Sequence, residues 1–440
     1  MAGERPRYGG ELRRVVFAPI VTTDPVKAAT PEEIEVVKNV HATLVTRGAG
    51  GAFVPALAEK VQLPTAAAPV LALTLREELV FHDGARLGAA EAKASLARLV
   101  TLRPELARLP GCAGLGAARV VSPLGLEIDA LPGAAGTLLS VLADPVASIA
   151  SARGDGEPVG AGPFRIAERA PTRIRLVPFL RHFAGRPYLN AITIEAITDP
   201  AESRRTLQSQ SWDVIDLPAA ADAPSQAGVL SSGEETALLH VNPAKPPAGM
   251  PALLAALDKA DRQGMVDVIL KGRGSVASSL LSETLLPVAR PPRPAAAPAP
   301  TAATRLEIIY PANDADLSLA AERVKFELKG TLQIDPSPLP LDRFLERIAR
   351  GEYACALQAA YFEPSSLAVQ VARALGSDTP SSPAAASADD AKIVTGWLAS
   401  IPARVYLFHR PRRILVREGL RDVMADGAPR YDDAWRDRTP

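Results

Sequence analysis

The alternation of strand and helix patterns late in the chain constrains the fold most strongly. "TRLEIIYPAN" predicts a strand, "ADLSLAAERVKFELKG" has the apolar spacing of a helix ending at Gly330, and "LQIDPSPL" predicts a second strand. "LDRFLERIARGEY" then predicts a helix and "ACALQAAYF" a buried strand. Strands separated by helices of this length are typical of a sheet covered by helices, so we predict an α/β chain of mixed α+β type.

An earlier block joins a strand, a turn and a helix. "LALTLREELVF" alternates apolar and polar residues as a half-buried strand does, and Asp83-Gly84 supplies a tight turn. Strong helix formers begin at Ala89. His82 stands alone in this block, whereas a zinc site needs three or four ligands. We therefore predict that His82 is a structural residue of the turn.

Length and charge exclude several classes of protein. The 440 residues are enough for two or three domain-sized cores. Lysine plus arginine equals aspartate plus glutamate, at 49 each, so we predict no nucleic-acid partner. The basic run "RPRRILVR" (410–417) alternates into apolar residues, and we interpret it as an exposed strand edge.

Motifs of common enzymes are missing from the sequence. It has no G-x-S-x-G elbow, Walker A loop, H-E-x-x-H or paired C-x-x-C, and its five histidines are scattered. Cys112 and Cys355 have no partner at metal-binding or redox spacing, so their redox state stays open. We predict a non-catalytic protein without cofactor or metal.

The chain start and two low-complexity segments bear on location and organisation. "MAGERPRYGGEL" has no apolar signal region, so we expect either a cytoplasmic protein or one whose export signal was removed. The Pro/Ala-rich segment 287–305 predicts an extended connector, and 376–390 predicts a flexible polar loop.

A series of segments, in order, carries a resemblance over nearly the whole chain. The segments are "YGGELRRVV", "TTDPVKAATPEEIEVVKNVHATLV", "GAFVPALAEKVQL", "LTLREELVFHDGARLGAAEAKASLARL", "PVGAGPFRIAE", "RHFAGRPYLNAITIEAITDPAESRRTLQSQSWDVIDL", "LLHVNPAKPPAGMPALLAALDKADRQGMVDVILKGRG", "FLERIARGEYACAL" and "IPARVYLFH". Together they resemble the extracytoplasmic solute-binding proteins of ABC transporters, family 5, of peptide/nickel-binding type. "FHDG" followed by "GAGPF" is the most specific part.

The resemblance implies a two-lobed periplasmic-binding-protein clamp, type II and cluster C-like, with an extra subdomain in lobe I. Lobe I would comprise 8–44, 158–239 and 401–440, with 45–157 as its subdomain, and lobe II would be 240–400. Two strands would cross between the lobes near 240–242 and 402–408. A ligand would bind in the cleft at the crossing, and closure would be a hinge motion.

The resemblance also implies ligand-binding residues, with departures from the family pattern. The Trp that accompanies the ligand-binding carboxylate of peptide-binding relatives is missing, and Glu363 is the only acid in "LQAAYFEPSSLA". His41 replaces an aromatic residue on the side of lobe I. The candidate ligand-binding residues are Thr22, Thr23, His41, Asn242, Tyr361, Phe362 and Glu363.

Each candidate has a structural alternative. Thr22 and Thr23 could form a simple turn, His41 could be a packed histidine, Asn242 could tie the hinge backbone, and Glu363 could be an exposed loop residue. The resemblance implies no enzyme activity.

We expect a monomer that captures a small solute, peptide-like or another polar organic molecule, for the membrane subunits of an ABC importer. It would be periplasmic or otherwise extracytoplasmic if an export signal was removed. The alternative is a clamp of the same shape that acts as a ligand sensor or interaction module without a role in transport.

Overall fold

The structure is a computed structural model of the chain. It describes residues 6–48, 51–151, 156–223, 227–242, 244–247, 253, 257, 260–286, 305–329, 332–363, 366–380, 390–400, 404–425 and 428–436. The predicted connector 287–305, apart from Arg305, and residues 381–389 of the predicted loop lie outside the described residues.

Helices form where capping residues precede apolar periodicity. The described α-helices are α1 (Pro31–Val40), α2 (Ala89–Leu102), α3 (Ala135–Ala143), α4 (Pro200–Ser209), α5 (Arg262–Ile269), α6 (Ala315–Glu327), α7 (Leu341–Ala349), α8 (Leu367–Leu375) and α9 (Asp390–Ser400). Helix α1 begins with a capping box, in which Thr30 accepts from the amide of Glu33 and the Glu33 side chain accepts from the amide of Thr30. Among the described residues, no helix is long and apolar enough to cross a membrane.

The described strands number 21. They are β1 (Glu11–Val16), β2 (Val45–Arg47), β3 (Phe53–Pro55), β4 (Ala58–Gln62), β5 (Val70–Leu75), β6 (Arg119–Ser122), β7 (Gly125–Asp129), β8 (Phe164–Ala170), β9 (Arg173–Pro178), β10 (Ala191–Ala196), β11 (Val214–Leu217), β12 (Ala227–Val241), β13 (Ser275–Val276), β14 (Arg305–Pro311), β15 (Gln333–Leu339), β16 (Cys355–Phe362), β17 (Val405–Arg417), β18 (Leu420–Arg421), β19 (Met424–Ala425), β20 (Ala428–Pro429) and β21 (Trp435–Arg436).

One sheet runs through the molecule in the order β15-β14-β16-β12-β17-β11-β1-β10-β9-β8, and β13 adds to β17. The alternation of strands and helices predicted over 305–362 is confirmed, and strands β14, β15 and β16 form one end of this sheet. Strands β11, β1, β10, β9 and β8 form the other end. The long strands β12 and β17 lie between the two ends and pair with each other, so they connect the two halves.

The basic run 410–417 is not an exposed strand edge, and that prediction is wrong. It lies in β17, which has β12 on one side and β11 on the other. Arg410 and Arg412 are mostly buried, and carboxylates from other elements surround them. Buried arginine is tolerated in the middle of a sheet when its charge is paired in this way.

The region 45–157 has its own four-stranded sheet, ordered β4-β5-β7-β6, with α2 packed against it. Its apolar core is shared with distant elements. Leu138 of α3 and Leu71 of β5 belong to the same buried cluster as Val369 of α8 and Trp397 of α9. Helix α8 packs on α3 and on the 3-10 helix Pro104–Arg108. An apolar contact therefore joins the predicted subdomain to the predicted second lobe.

Candidate functional site

The "FHDG" and "GAGPF" segments meet in the structure. Gly84 has a φ of +85°, and the Asp83 carboxylate accepts from the amide of Ala85, which confirms the predicted turn. The amide of His82 donates to the carbonyl oxygen of Gly160, and its Nε2 donates to that of Gly162 at 3.0 Å. His82 is thus a structural residue, as predicted.

His41 lies on the other side of the same glycine segment. A Cβ on Gly162 would stand 2.6 Å from the carbonyl carbon of Val40 and 2.7 Å from both the amide nitrogen and the carbonyl oxygen of His41. Only glycine allows this approach. We call the set His41, His82, Gly160 and Gly162 the glycine junction.

Burial keeps the imidazole of His41 neutral. Its Nε2 lies 2.9 Å from the carbonyl oxygen of Thr23, so Nε2 carries the proton. Burial, with a contribution from His82, lowers the pKa of His41 to about 4. Its Nδ1 faces Gly160 and has no hydrogen-bond partner among the described residues. This geometry is that of a packed histidine, which was the alternative to a ligand-binding role for His41.

Thr22 and Thr23 lie in the loop before α1 and contact one carboxylate. The amide and hydroxyl of Thr23 donate to Oε2 of Glu157 at 3.2 and 3.1 Å, and the Thr22 hydroxyl is 3.3 Å from both Glu157 oxygens. Arg169 donates to the Thr23 hydroxyl and pairs with Glu157 at 3.2 Å. Thr23 is buried and Thr22 is half-buried, so Thr22 is the more accessible of the two.

Glu363 follows β16 directly and is buried, so it is not an exposed loop residue. The ammonium of Lys38, near the end of α1, donates to both Glu363 oxygens at 2.9 Å. The side chains are only 13% and 8% exposed. The Tyr361 hydroxyl donates to the carbonyl oxygen of Ser232 at 2.5 Å and lies 3.1 Å from Oε1 of Glu363. The Glu363 carboxylate is therefore enclosed by an ammonium and a phenol.

Two further charges lie beside this pair. Arg373 of α8 donates to the carbonyl oxygen of Ala28 at 2.9 Å and is 3.5 Å from Asp144, while its Nε has no hydrogen-bond partner. Burial raises the pKa of Asp144, the positive charges of Arg373 and Lys38 oppose that rise, and the negative charge of Glu363 adds to it. We call the set Lys38, Asp144, Glu363 and Arg373 the charged junction. Its two acids balance its two bases.

A buried network of charges continues from the junction into the sheet. Arg412 of β17 binds Glu32 of α1 at 3.0 Å and Asp216 of β11 at 3.2 Å, and it lies over the ring of Tyr361. Arg14 of β1 binds Asp216 at 2.6 Å. Although burial opposes it, Arg14 and Arg412 hold the pKa of Asp216 below its usual value. The network fixes α1 on the sheet beside Glu363.

Two residues further back on β17, Arg410 binds three carboxylates, of which one is on the connecting strand β12 and two are in the other half. It contacts Glu235 of β12 at 2.7 Å, Asp314 at 2.6 Å and Asp316 at 2.8 Å, the last two at the start of α6. Arg410 and Arg412 share a face of the strand because side chains alternate. One strand thus carries two arginines that bind opposite halves of the molecule.

The structure brings together only some of the predicted site residues. Thr23 contacts His41, and Tyr361 contacts Glu363. Phe362 is fully buried in the large apolar core, where its side chain packs. Asn242 donates to the carbonyl oxygens of Gly351 and Tyr353, beyond the opposite end of β16.

Asn242 is distant from Glu363 along the sheet. Glu234 of β12 lies opposite Phe362, whereas Val241 lies opposite Cys355. At about 3.3 Å per residue, the seven steps between these pairs place Asn242 more than roughly 20 Å from Glu363. Its contacts are those of a residue that ties the strand end, which was the alternative to ligand binding.

The sequence analysis missed Lys38, Arg373 and Arg412. The Lys38 and Glu363 positions are 325 residues apart in the chain. No local pattern links such positions, and lysine in a short helix is ordinarily a solvated residue. The run of charges in "PEEIEVVKNV", in a helix that buries most of its surface, is the one available signal.

Comparisons with known proteins agree with this architecture. Residues 52–323 match the profile of "Bacterial extracellular solute-binding proteins, family 5 Middle". The chain is 31% identical over 135 residues to the probable ABC transporter periplasmic-binding protein SapA of Escherichia coli K12, which is 29% of this chain and 25% of that protein. The chain therefore spans about a quarter of the length of that curated relative.

Solved structures resemble almost the entire chain. Listeria monocytogenes OppA bound to peptide has a TM-score of 0.80 at 13% identity, covering 98% of this chain and 99% of that one. The periplasmic binding protein AgaA of A. tumefaciens R10, in complex with agropinic acid, has a TM-score of 0.75 at 18% identity, with the same coverage. The predicted fold, a mixed α/β two-lobed clamp, is confirmed by these likenesses.

Proposed function

We propose, because the chain belongs to family 5 of the bacterial extracellular solute-binding proteins, that it captures a small solute between two lobes for an ABC importer. The solute is peptide-like or another polar organic molecule, and the function is non-catalytic. The proposed location is extracytoplasmic, as in the family, and the proposed working state is a monomer.

The observation that carries this proposal is the buried Glu363 carboxylate beside Tyr361. It lies at the end of β16, where that strand and β12 approach α1, and it can bind a positive charge of a ligand. A hydrogen bond between charged groups contributes about 1.5–3 kcal/mol. Together with backbone contacts, such an interaction supports micromolar binding, which requires about 8 kcal/mol.

The proposed lobes follow the boundaries predicted from the sequence. Lobe I comprises 8–44, 158–239 and 401–440, with subdomain 45–157, and lobe II comprises 240–400. The register shift in β12 between Ser231 and Glu234 supports a bend in the connecting strand. Gly233 lies in this shift with a φ of +94°, a conformation that favours glycine.

The seven ligand-binding residues stay predictions, and the structure supports some of them better than others. Glu363 belongs to the charged junction and Tyr361 borders it, while Thr22 is half-buried on the lobe I side. Thr23, His41, Phe362 and Asn242 have internal contacts that explain their burial. We therefore expect Glu363, Tyr361 and Thr22 to affect ligand affinity, and the other four to affect stability.

A thermal-shift screen over peptides, opines, sugars and metal chelates tests the function. A ligand at one hundred times its dissociation constant adds about 2.7 kcal/mol of stability, which raises the melting temperature. Glu363→Gln should weaken binding of a cationic hit roughly 10- to 150-fold, as measured by calorimetry. Glu322→Gln, an exposed acid of α6, is the matched control and should bind normally.

Two results would contradict the proposal. A screen in which no class of compound raises the melting temperature of the wild-type chain argues against solute capture. An unchanged affinity in Glu363→Gln removes that carboxylate from the binding site.

One observation favours a second function, that of a ligand sensor or interaction module without a role in transport. Lys38 already neutralises Glu363 across the two halves, so a closed shape can form through the chain's own charges. Co-purification with the membrane subunits of an importer supports transport, and a stable complex with a soluble partner instead supports the sensor.

A further inference from the structure

The Lys38–Glu363 pair joins two parts of the chain that belong to different proposed lobes. Lys38 belongs to α1, which the Arg412–Glu32 ion pair fixes on the lobe I side of the sheet. Glu363 follows β16, which pairs with the connecting strand β12 and with β14 of the other half. The ion pair therefore lies across the proposed cleft and not within one lobe.

Contacts from both halves of the molecule surround the Lys38–Glu363 ion pair. The amide of Glu363 donates to Oε1 of Gln370 at 2.7 Å, which fixes the carboxylate-bearing segment against α8. Tyr361 lies beside the carboxylate and packs on the apolar cluster of Ala28, Ile34 and Val37 from lobe I. With side chains 13% and 8% exposed, Lys38 and Glu363 are largely removed from water.

The ammonium of Lys38 engages both oxygens of Glu363, the very atoms that a cationic ligand group would need. A ligand's positive charge must therefore displace that of Lys38. Separating a buried pair leaves uncompensated charges, and that penalty is typically several kcal/mol. Lys38 is tethered by the chain, so it competes at every ligand concentration.

The charged junction offers Lys38 another partner when it is displaced. Asp144 is buried, and Lys38 and Arg373 both stabilise its ionised form. Its contact with Arg373 is long, at 3.5 Å. Asp144 is therefore the carboxylate that we expect Lys38 to approach when a ligand displaces it from Glu363.

From these contacts we propose that Lys38 is a latch that holds the two lobes together through Glu363 and competes with the ligand for that carboxylate. Lys38 then determines specificity, because a ligand must supply a cation strong enough to replace it. This inference rests on the proposed function for its ligand, but the latch itself concerns the conformation of the chain alone.

The conformational test uses small-angle X-ray scattering of the full chain without added ligand. The double variant Lys38→Met/Glu363→Gln removes both charges together and should shift the radius of gyration to a larger value. The swapped variant Lys38→Glu/Glu363→Lys rebuilds the pair in reverse and should return the radius towards that of the wild type. Circular dichroism establishes that each variant is folded before its radius is compared.

The matched control is Lys325→Met/Glu322→Gln, which removes an exposed pair within α6. Its radius should equal that of the wild type. A wild-type radius in the folded Lys38→Met/Glu363→Gln variant overturns the latch. So does a swapped variant that stays as open as the charge-free one.

The binding test uses trialanine, with N-acetyl-trialanine as the probe that lacks the ammonium. Lys38→Met removes the competitor and should bind trialanine at least tenfold more tightly than the wild type in calorimetry, with no gain for the acetylated peptide. Equal affinities of wild type and variant for trialanine overturn the competition. Failure of both chains to bind trialanine contradicts a peptide-like ligand in the proposed function, and the scattering result then decides the latch independently.

Discussion

The glycine junction and the charged junction both join segments that are far apart in the sequence, but they do so by different physical means. At the glycine junction, backbone hydrogen bonds and contacts without room for a Cβ hold 160–162 between His41 and His82. At the charged junction, ion pairs between long side chains hold α1, the subdomain and α8 together. The first contact leaves little freedom of geometry, whereas the proposed latch requires the second to exchange partners.

This difference corresponds to what a clamp requires. A lobe that moves as one body needs fixed internal contacts, and steric contacts of the glycine type are either made or broken. A contact between lobes needs to open when a ligand offers a comparable interaction. In the proposed latch, the ion pair of Lys38 and Glu363 meets that requirement because a ligand's positive charge replaces that of Lys38.

The largest expected effect comes from a substitution that breaks the glycine junction. In Gly162→Ala, the added Cβ would stand 2.6–2.7 Å from the backbone of Val40 and His41, and backbone on both sides has little freedom to move. We expect a loss of about 3 kcal/mol or more in the free energy of unfolding, the upper end for overpacking, measured by urea denaturation. Gly156→Ala is the control, since no atom of the described residues lies within 4 Å of its added Cβ. Equal stability of the two variants would contradict the steric account.

The next largest effect comes from removing one partner of the ion pair in the charged junction. Lys38→Met leaves Glu363 buried without its ion-pair partner, so we expect a loss of about 3 kcal/mol in the free energy of unfolding. Adding Glu363→Gln removes the stranded charge and should restore part of the loss. A double-mutant cycle on urea midpoints measures the coupling. Additive losses would show that the two residues do not stabilise one another.

The two junctions also differ in how far the sequence could predict them. "FHDG" and "GAGPF" are local motifs, so the turn at Gly84 and the structural role of His82 followed from the residues. The alternation of strands and helices over 305–362 was likewise readable, because periodicity reports the buried face of each element.

The ion pairs between distant elements could not be read in this way. Lys38 and Glu363 meet only after the sheet has formed, and 410–417 looked like an exposed strand edge because a single sequence does not show which carboxylates will surround each arginine. The position of Asn242 could not be predicted for a related reason. The sequence does not show at which end of the crossing strand, near the cleft or away from it, a neighbouring residue lies. The sequence thus predicts elements and motifs better than it predicts charge partners.

Acid should weaken the glycine junction through His41. The folded chain holds the pKa of His41 at about 4, below its usual 6.5, so the unfolded chain binds the proton more readily. The contribution of neutral His41 to the free energy of unfolding is therefore complete above about pH 6.5 and is lost as the pH falls towards 4. About 2 kcal/mol of it is lost by pH 5. The variant His41→Gln should show a flatter dependence of the unfolding free energy on pH between 7 and 5. Parallel curves for variant and wild type would rule His41 out as the source.

The smallest expected effect concerns a contact between a charged and an uncharged side chain, which crosses between the predicted subdomain and the predicted second lobe. Arg47 donates to the Ser366 hydroxyl at 3.0 and 3.2 Å, and also to the Ser140 hydroxyl at 3.0 Å, so it keeps a partner in Ser366→Ala. We expect a loss of about 1 kcal/mol or less in the free energy of unfolding by urea denaturation, and an unchanged radius of gyration. The contact joins the same two regions as Arg373 and Asp144 do in the charged junction, but it carries charge on one side only. It therefore separates the effect of a crossing contact from that of a crossing ion pair. If Ser366→Ala opens the molecule as far as the loss of Lys38 and Glu363 does, closure depends on many weak contacts between the lobes, and the distinction between the two junctions fails.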